Sequence, residues 1–151
     1  MALLGQLSIK GRALRLLGTR EHSRAELERK LAAHEQEPGQ LRQALDELQA
    51  KGLISEERVA ESVIHRRAAR MGTARIHQEL KGKGLSADLM ASTLQQLRTT
   101  ELDRATEVWR KKFGAVPTNP AERARQMRFL ASRGFGAEVV ARVLAGGVDG
   151  D

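Results

Sequence analysis

The chain has 151 residues, with 26 Lys and Arg against 19 Asp and Glu and a formal net charge of +7. Charged residues make up 30% and apolar residues 40%, the balance of a folded soluble protein rather than a disordered one. Cys is absent, which excludes disulfides, thiolate nucleophiles and cysteine zinc sites. No run approaches the roughly 18 apolar residues that a membrane span needs. These features point to an intracellular, Leu/Ala-packed helical protein with an anionic partner, nucleic acid first among the candidates.

Residues 1–20 hold Lys10, Arg12, Arg15 and Arg20 and no acid, a superficial likeness to an organelle transit peptide. The stretch is not Ser-rich and lacks an apolar core and a small-residue cleavage site. Ile9, Ala13, Leu16 and Leu17 fall at helical spacing, so it reads as the first helix. Ser23 then caps a second helix with Glu26 three residues on, a capping box, and Leu27 and Leu31 face inward. A third helix begins near Pro38 and ends at Gly52. The pattern restarts at Ser55-Glu56-Glu57, an N-cap with acids in the first turn, and carries Val59, Ala60, Val63, Ile64 and Ala68 before Gly72. Thr73 caps a helix with Ile76 and Leu80 inward, closed by Gly82 and Gly84. Ser86 caps the next, with Leu89, Met90, Leu94 and Leu97 as its buried stripe. The last segment begins near Glu101 and breaks between Gly114 and Pro120. Asn119-Pro120 then starts another helix as N-cap and first residue. No segment alternates with period two, so no strand is expected.

These segments repeat. Leu31, Leu80 and Leu130 stand 49 and 50 residues apart; ten residues on come Leu41, Met90 and Val140, and fourteen on Leu45, Leu94 and Leu144. Four residues before the anchors stand Leu27 and Ile76, whereas the third copy has Gln126 with Met127 beside it. Lys83-Gly84-Leu85-Ser86 aligns with Arg133-Gly134-Phe135-Gly136 without a gap, while His34-Glu35-Gln36-Glu37 marks a diverged turn in the first copy. The expected fold is therefore all-α, an elongated array of three tandem three-helix, helix-turn-helix-like modules at 1–54, 55–100 and 101–151.

Catalytic motifs are missing. There is no G-x-G-x-x-G, P-loop or G-x-S-x-G. His22, His34, His65 and His77 never stand at i, i+4, so no helical metal face is expected, and no cofactor is implied. Glu56-Glu57 and Asp46-Glu47 are explained by helix ends and polar faces. Charge is more informative. The three modules carry nine bases against seven acids, eight against five and nine against seven, or +2, +3 and +2. From His65 to Lys83 the bases Arg66, Arg67, Arg70, Arg75, Lys81 and Lys83 face one acid, Glu79. A second cluster is Arg110-Lys111-Lys112, and a third is Arg123, Arg125, Arg128 and Arg133. The first reads as a phosphate- or carboxylate-binding stripe, with Arg66 and Arg70 as i, i+4 neighbours; Arg110, Lys111, Lys112, Arg128 and Arg133 are further candidate contacts. Base readout is less well supported, because Ala87-Asp88 and Ala137-Glu138 put acid where a recognition helix would meet phosphate. Trp109, Phe113, Phe129 and Phe135 sit at apolar-periodic or turn positions and read as core.

Several blocks resemble the RecX family, bacterial regulators of the RecA recombinase. They are Arg20-Glu21-His22-Ser23 with Glu26-Leu27 and Lys30-Leu31; Leu53-Ile54-Ser55-Glu56-Glu57-Arg58-Val59-Ala60; Arg75-Ile76-His77-Gln78-Glu79-Leu80-Lys81 with Lys83-Gly84-Leu85-Ser86; and Phe129-Leu130-Ala131-Ser132-Arg133-Gly134-Phe135. Val59 stands where the family has an aromatic, and Met71 precedes Gly72 in a segment usually richer in Arg and Gly. The resemblance implies a three-module, non-enzymatic, cytoplasmic protein that binds RecA and the RecA–single-stranded-DNA filament, usually as an inhibitor. It carries over no catalytic, cofactor or metal residue. A monomer with weak non-specific DNA binding and no membrane partner is expected. Two other classes stay open: a helix-turn-helix DNA-binding regulator, and a scaffold with no nucleic-acid role.

Overall fold

A computed structural model describes residues 7–146. Among them are helices α1 (Ile9–Leu17), α2 (Arg24–Leu31), α3 (Gln40–Ala50), α4 (Glu56–Arg67), α5 (Thr73–Gly82), α6 (Ala87–Lys112), α7 (Pro120–Ser132) and α8 (Ala137–Leu144), with a 3-10 turn at Ala32–His34 and no strand. None of these helices is long and apolar enough to cross a membrane. The described residues divide into two compact units, residues 7–62 with 83–86, and residues 63–82 with 87–146.

In the first unit α1, α2 and α3 pack around Ile9, Ala13, Leu27, Leu31, Leu41, Leu45, Leu48 and Ile54, all buried. Ser23 starts α2 as the sequence indicates: its Oγ accepts from the Glu26 N–H, and its own N–H donates to Glu26 Oε1 at 2.9 Å. Glu26 serves more than the cap. Its carboxylate also accepts from Arg20 at 2.9 Å and Lys83 at 3.1 Å, while the Ser23 hydroxyl donates to the Lys83 carbonyl. Burial alone would raise the Glu26 pKa, but the hydrogen bonds from Arg20, Ser23 and Lys83 outweigh it and bring the group down to about 2. His22 is buried beside it, with Nε2 3.2 Å from the Lys30 ammonium and Nδ1 3.1 Å from the Arg20 carbonyl. An ammonium only donates, so Nε2 accepts and Nδ1–H donates: the ring is neutral. Burial, together with the charges of Arg20 and Lys30, lowers its pKa.

Both shifts are downward, so both groups stabilise the fold above their unfolded pKa values and lose that contribution as pH falls. For Glu26 the loss falls between about pH 4.5 and pH 2 and is on the order of 3 kcal/mol. Urea unfolding at pH 7, 5 and 3 is expected to show a steeper acid loss for the wild type than for Glu26→Gln. Parallel curves would contradict the assignment.

The second unit is built on α6, which packs against α5, α7 and α8. Ala105, Val108, Leu130, Phe135, Val140, Val143 and Leu144 form one core cluster, and Ile76, Leu80 and Leu97 are also buried. The repeat anchors Leu31, Leu80 and Leu130 are all buried, as their spacing requires. Three details differ from the sequence reading. The helix expected to begin near Glu101 is continuous with the one before it, because no Gly or Pro interrupts residues 87–112. Leu94 is only half-buried; Thr93 and Leu97 take the inward positions on that turn of α6. Met127 does not replace the missing apolar anchor, since it is exposed and Gln126 itself is buried. Its amide accepts from Trp109 Nε1 at 2.8 Å and donates to the Ala115 carbonyl at 3.2 Å, which satisfies both ends of the side chain.

Two turns of this unit meet backbone to backbone. The Gly72 N–H donates to the Arg133 carbonyl at 2.7 Å, and the Ala74 N–H to the Gly134 carbonyl at 3.2 Å. A Cβ on Gly72 would lie 2.3 Å from the Gly134 carbonyl carbon, so only glycine fits. Gly134 has φ +91°, and a Cβ there would meet Arg75 at 2.3 Å. Gly72→Ala is expected to cost about 1–3 kcal/mol or more through forced separation of the two turns. Gly82→Ala, where nothing lies within 4 Å of the new methyl, is expected to be neutral or mildly stabilising. Thermal unfolding of the pair checks this; equal effects would contradict the close approach.

Candidate basic interface

The turn-on-turn contact gathers bases that are far apart in sequence. Arg70 lies just past the end of α4 rather than on it, and its guanidinium donates to the Arg66 carbonyl at 3.4 Å. Arg133 reaches across from the other turn and donates to the Arg70 carbonyl at 3.3 Å. Arg75 in turn donates to the Ser132 carbonyl at 2.7 Å. The Arg133 guanidinium also stands 4.8 Å from the centroid of Phe129, and the Lys112 ammonium 5.3 Å from the same ring. Phe113 meets Phe129 edge-on at 5.5 Å and holds it in place. Phe129 is half-buried rather than core. Arg70, Arg75, Lys112 and Arg133 thus come from three separate sequence clusters into one connected set.

Backbone carbonyls and an aromatic face orient these four cations without neutralising them. Among the described residues no carboxylate pairs with any of the four. The other candidate bases divide differently. Arg66 and Arg67 share Glu79 at 3.2 and 3.1 Å, so the single acid of the stretch screens two of its arginines. Arg110 pairs with Glu107 at 3.0 Å, one turn back on α6. Lys81, Lys111 and Arg128 are exposed, and among the described residues no carboxylate pairs with them. Lys83 belongs to the first unit, where its side chain is only 14% exposed and its ammonium holds Glu26. Its charge serves the fold. A shallow pocket of about 340 Å³ opens beside the set, lined by Arg67, Met71, Arg75, Ile76, Gln78 and Glu79.

The residue that secures this region is Arg104, which belongs to no sequence cluster. From α6 its guanidinium donates to the carbonyls of Ala68 (3.1 Å), Met71 and Leu97 (3.0 Å) and to Thr73 Oγ1 at 3.3 Å, and its Nε donates to Thr100 Oγ1 at 3.0 Å. It therefore satisfies the carbonyls left open at the end of α4 and places a positive charge at that helix C-terminus. Burial lowers its pKa, and nearby Glu101 opposes that shift; an arginine stays charged regardless. Glu101 is itself buried and accepts from the Gly136 N–H at 2.8 Å, closing the start of α8. Among the described residues no group of three His, Asp or Glu side chains stands ready to hold a metal ion. Arg104→Met is expected to cost about 1–3 kcal/mol per buried carbonyl left unpaired. Denaturant unfolding measures it, and a loss under about half a kcal/mol would remove Arg104 from its supporting role.

Comparison with known proteins covers nearly the whole chain. Residues 10–48, 55–94 and 99–144 match the first, second and third three-helix domains of RecX. "Regulatory protein RecX" of Leptothrix cholodnii is 58% identical over 92% of this chain and 88% of its own length. That of Ralstonia nicotianae is 49% identical over 97% and 92%. The crystal structure of RecX from Lactobacillus salivarius shares the fold with a TM-score of 0.76 at 17% identity, covering 91% of this chain and 93% of that one.

Proposed function

Since the chain belongs to the RecX family of regulatory proteins, we propose that it is a non-enzymatic, cytoplasmic modulator of the RecA recombinase. It binds the RecA–single-stranded-DNA filament and limits its ATPase, strand exchange and extension. In this reading the modules 1–54, 55–100 and 101–151 act together as one tandem array, and a single copy of the chain suffices. The observation that carries the reading is the set of four uncompensated cations, Arg70, Arg75, Lys112 and Arg133. They suit the carboxylates of a protein filament or the phosphates of the DNA inside it. Both contacts weaken as salt rises. The exposed Lys81, Lys111 and Arg128 add to the approach field rather than to fixed contacts.

The double variant Arg70→Glu with Lys112→Glu tests this. Both side chains are exposed, so the helical circular dichroism is expected to stay that of the wild type. Inhibition of RecA single-stranded-DNA-dependent ATPase and strand exchange is expected to fall about tenfold, since reversal removes attraction and adds repulsion. A folded double variant with unchanged inhibition at several salt concentrations would move the interface to another face.

A further inference from the structure

The first unit carries a second concentration of unpaired cations, with a different lining. Lys10, Arg20, Arg24 and Arg58 each have a carboxylate within 3.5 Å. Among the described residues Arg12 and Arg15 on α1 have none, and Lys30 on α2 has the neutral His22 ring rather than a carboxylate as partner. These three, with His34 of the 3-10 turn, rim a pocket of about 210 Å³ whose floor is Leu7, Leu16 and Leu31. No acid lines it. The groove continues along α1 past Leu7, Arg12 and His34 into a wider cleft of about 560 Å³. The acid in that cleft, Glu35, accepts from the Leu41 N–H at 2.8 Å and is engaged at the start of α3.

Cations around an apolar floor suit a ligand that is both anionic and greasy. Nucleic acid fits poorly. Its bases stack on aromatic side chains, and all four aromatics of the chain lie at or beyond residue 109, outside this unit. A pocket of this size accepts about one apolar side chain, well short of a small-molecule site. We propose that this groove docks an acidic peptide segment of a protein partner. Its carboxylates engage Arg12, Arg15 and Lys30, while one apolar side chain seats on Leu7, Leu16 and Leu31. The site is separate from the cationic set of the second unit and does not depend on it.

Fluorescence anisotropy at low ionic strength tests the proposal, using a labelled nonapeptide with four aspartates on each side of one leucine. The wild type is expected to bind, and Arg12→Ala with Arg15→Ala to weaken binding about tenfold. The control Arg42→Ala with Lys51→Ala removes the same charge from exposed positions elsewhere in the unit and is expected to stay within about twofold. Replacing the peptide's leucine by alanine is expected to weaken binding about tenfold, through the lost apolar contact. That arm needs no protein variant, and Arg15→Ala alone replaces the double variant should it not fold. Arg70→Glu with Lys112→Glu is expected to leave the leucine-over-alanine preference intact, which separates this site from the filament-binding reading. Equal losses for Arg12→Ala with Arg15→Ala and for Arg42→Ala with Lys51→Ala, or equal affinity for the leucine and alanine peptides, would reduce the binding to bulk charge and overturn the proposal. A single-stranded oligonucleotide that binds tighter than the peptide and loses affinity with Arg12 and Arg15 would also overturn it.

Discussion

Everything in the second unit depends on how closely two turns approach. With the Gly72 N–H 2.7 Å from the Arg133 carbonyl, neither turn has room for a side chain at the point of contact. That approach brings the end of α4 beside the end of α7, and with it Arg70 beside Arg133 and Arg75 beside Ser132. Left alone, the carbonyls at the end of α4 would oppose such packing, because buried acceptors without donors are costly. Arg104 supplies the donors from α6, and Glu101 performs the matching service for the Gly136 N–H. The cationic surface is thus a by-product of solving the polar bookkeeping at two helix junctions.

The chemistry of that surface follows from which charges are cancelled. Seen as a run, residues 65–83 hold six bases and one acid. In the fold the acid is shared by Arg66 and Arg67, and Lys83, which belongs to the first unit, turns to Glu26 within that unit. Of the cations left over, Arg70 and Arg75 point to carbonyls, and Lys112 and Arg133 from outside the run sit on Phe129, interactions that fix position while leaving net charge available. Under the proposed function, these charges meet the carboxylates or phosphates of the nucleoprotein filament.

Much of the architecture is readable from residue spacing, since Leu31, Leu80 and Leu130 repeat at near-equal intervals and each is buried. Caps are equally legible, because Ser23, Asn119 and their N3 acids interact over three residues. What spacing misses is long-range. Gln126 looks like a failed core position until Trp109 and Ala115 are brought to it. Lys83 looks like one more surface base until Glu26, 57 residues away, is beside it. Arg104 has acids at 101, 103 and 107 around it and no basic neighbour, so no charge pattern marks it. The second module's third helix shows the same limit: an apolar stripe at Leu89, Met90 and Leu94 was legible, but its rotation within an uninterrupted α6 was not.

The face proposed to meet the filament is the one built around the Gly72–Gly134 contact. Hydrogen–deuterium exchange of the chain, alone and with RecA assembled on single-stranded DNA, tests it most directly. Peptides covering 66–75 and 128–135 are expected to gain protection in the presence of the filament, and the gain is expected to fade as salt is raised. Unchanged exchange in both segments, with protection gained elsewhere in the chain, would contradict it.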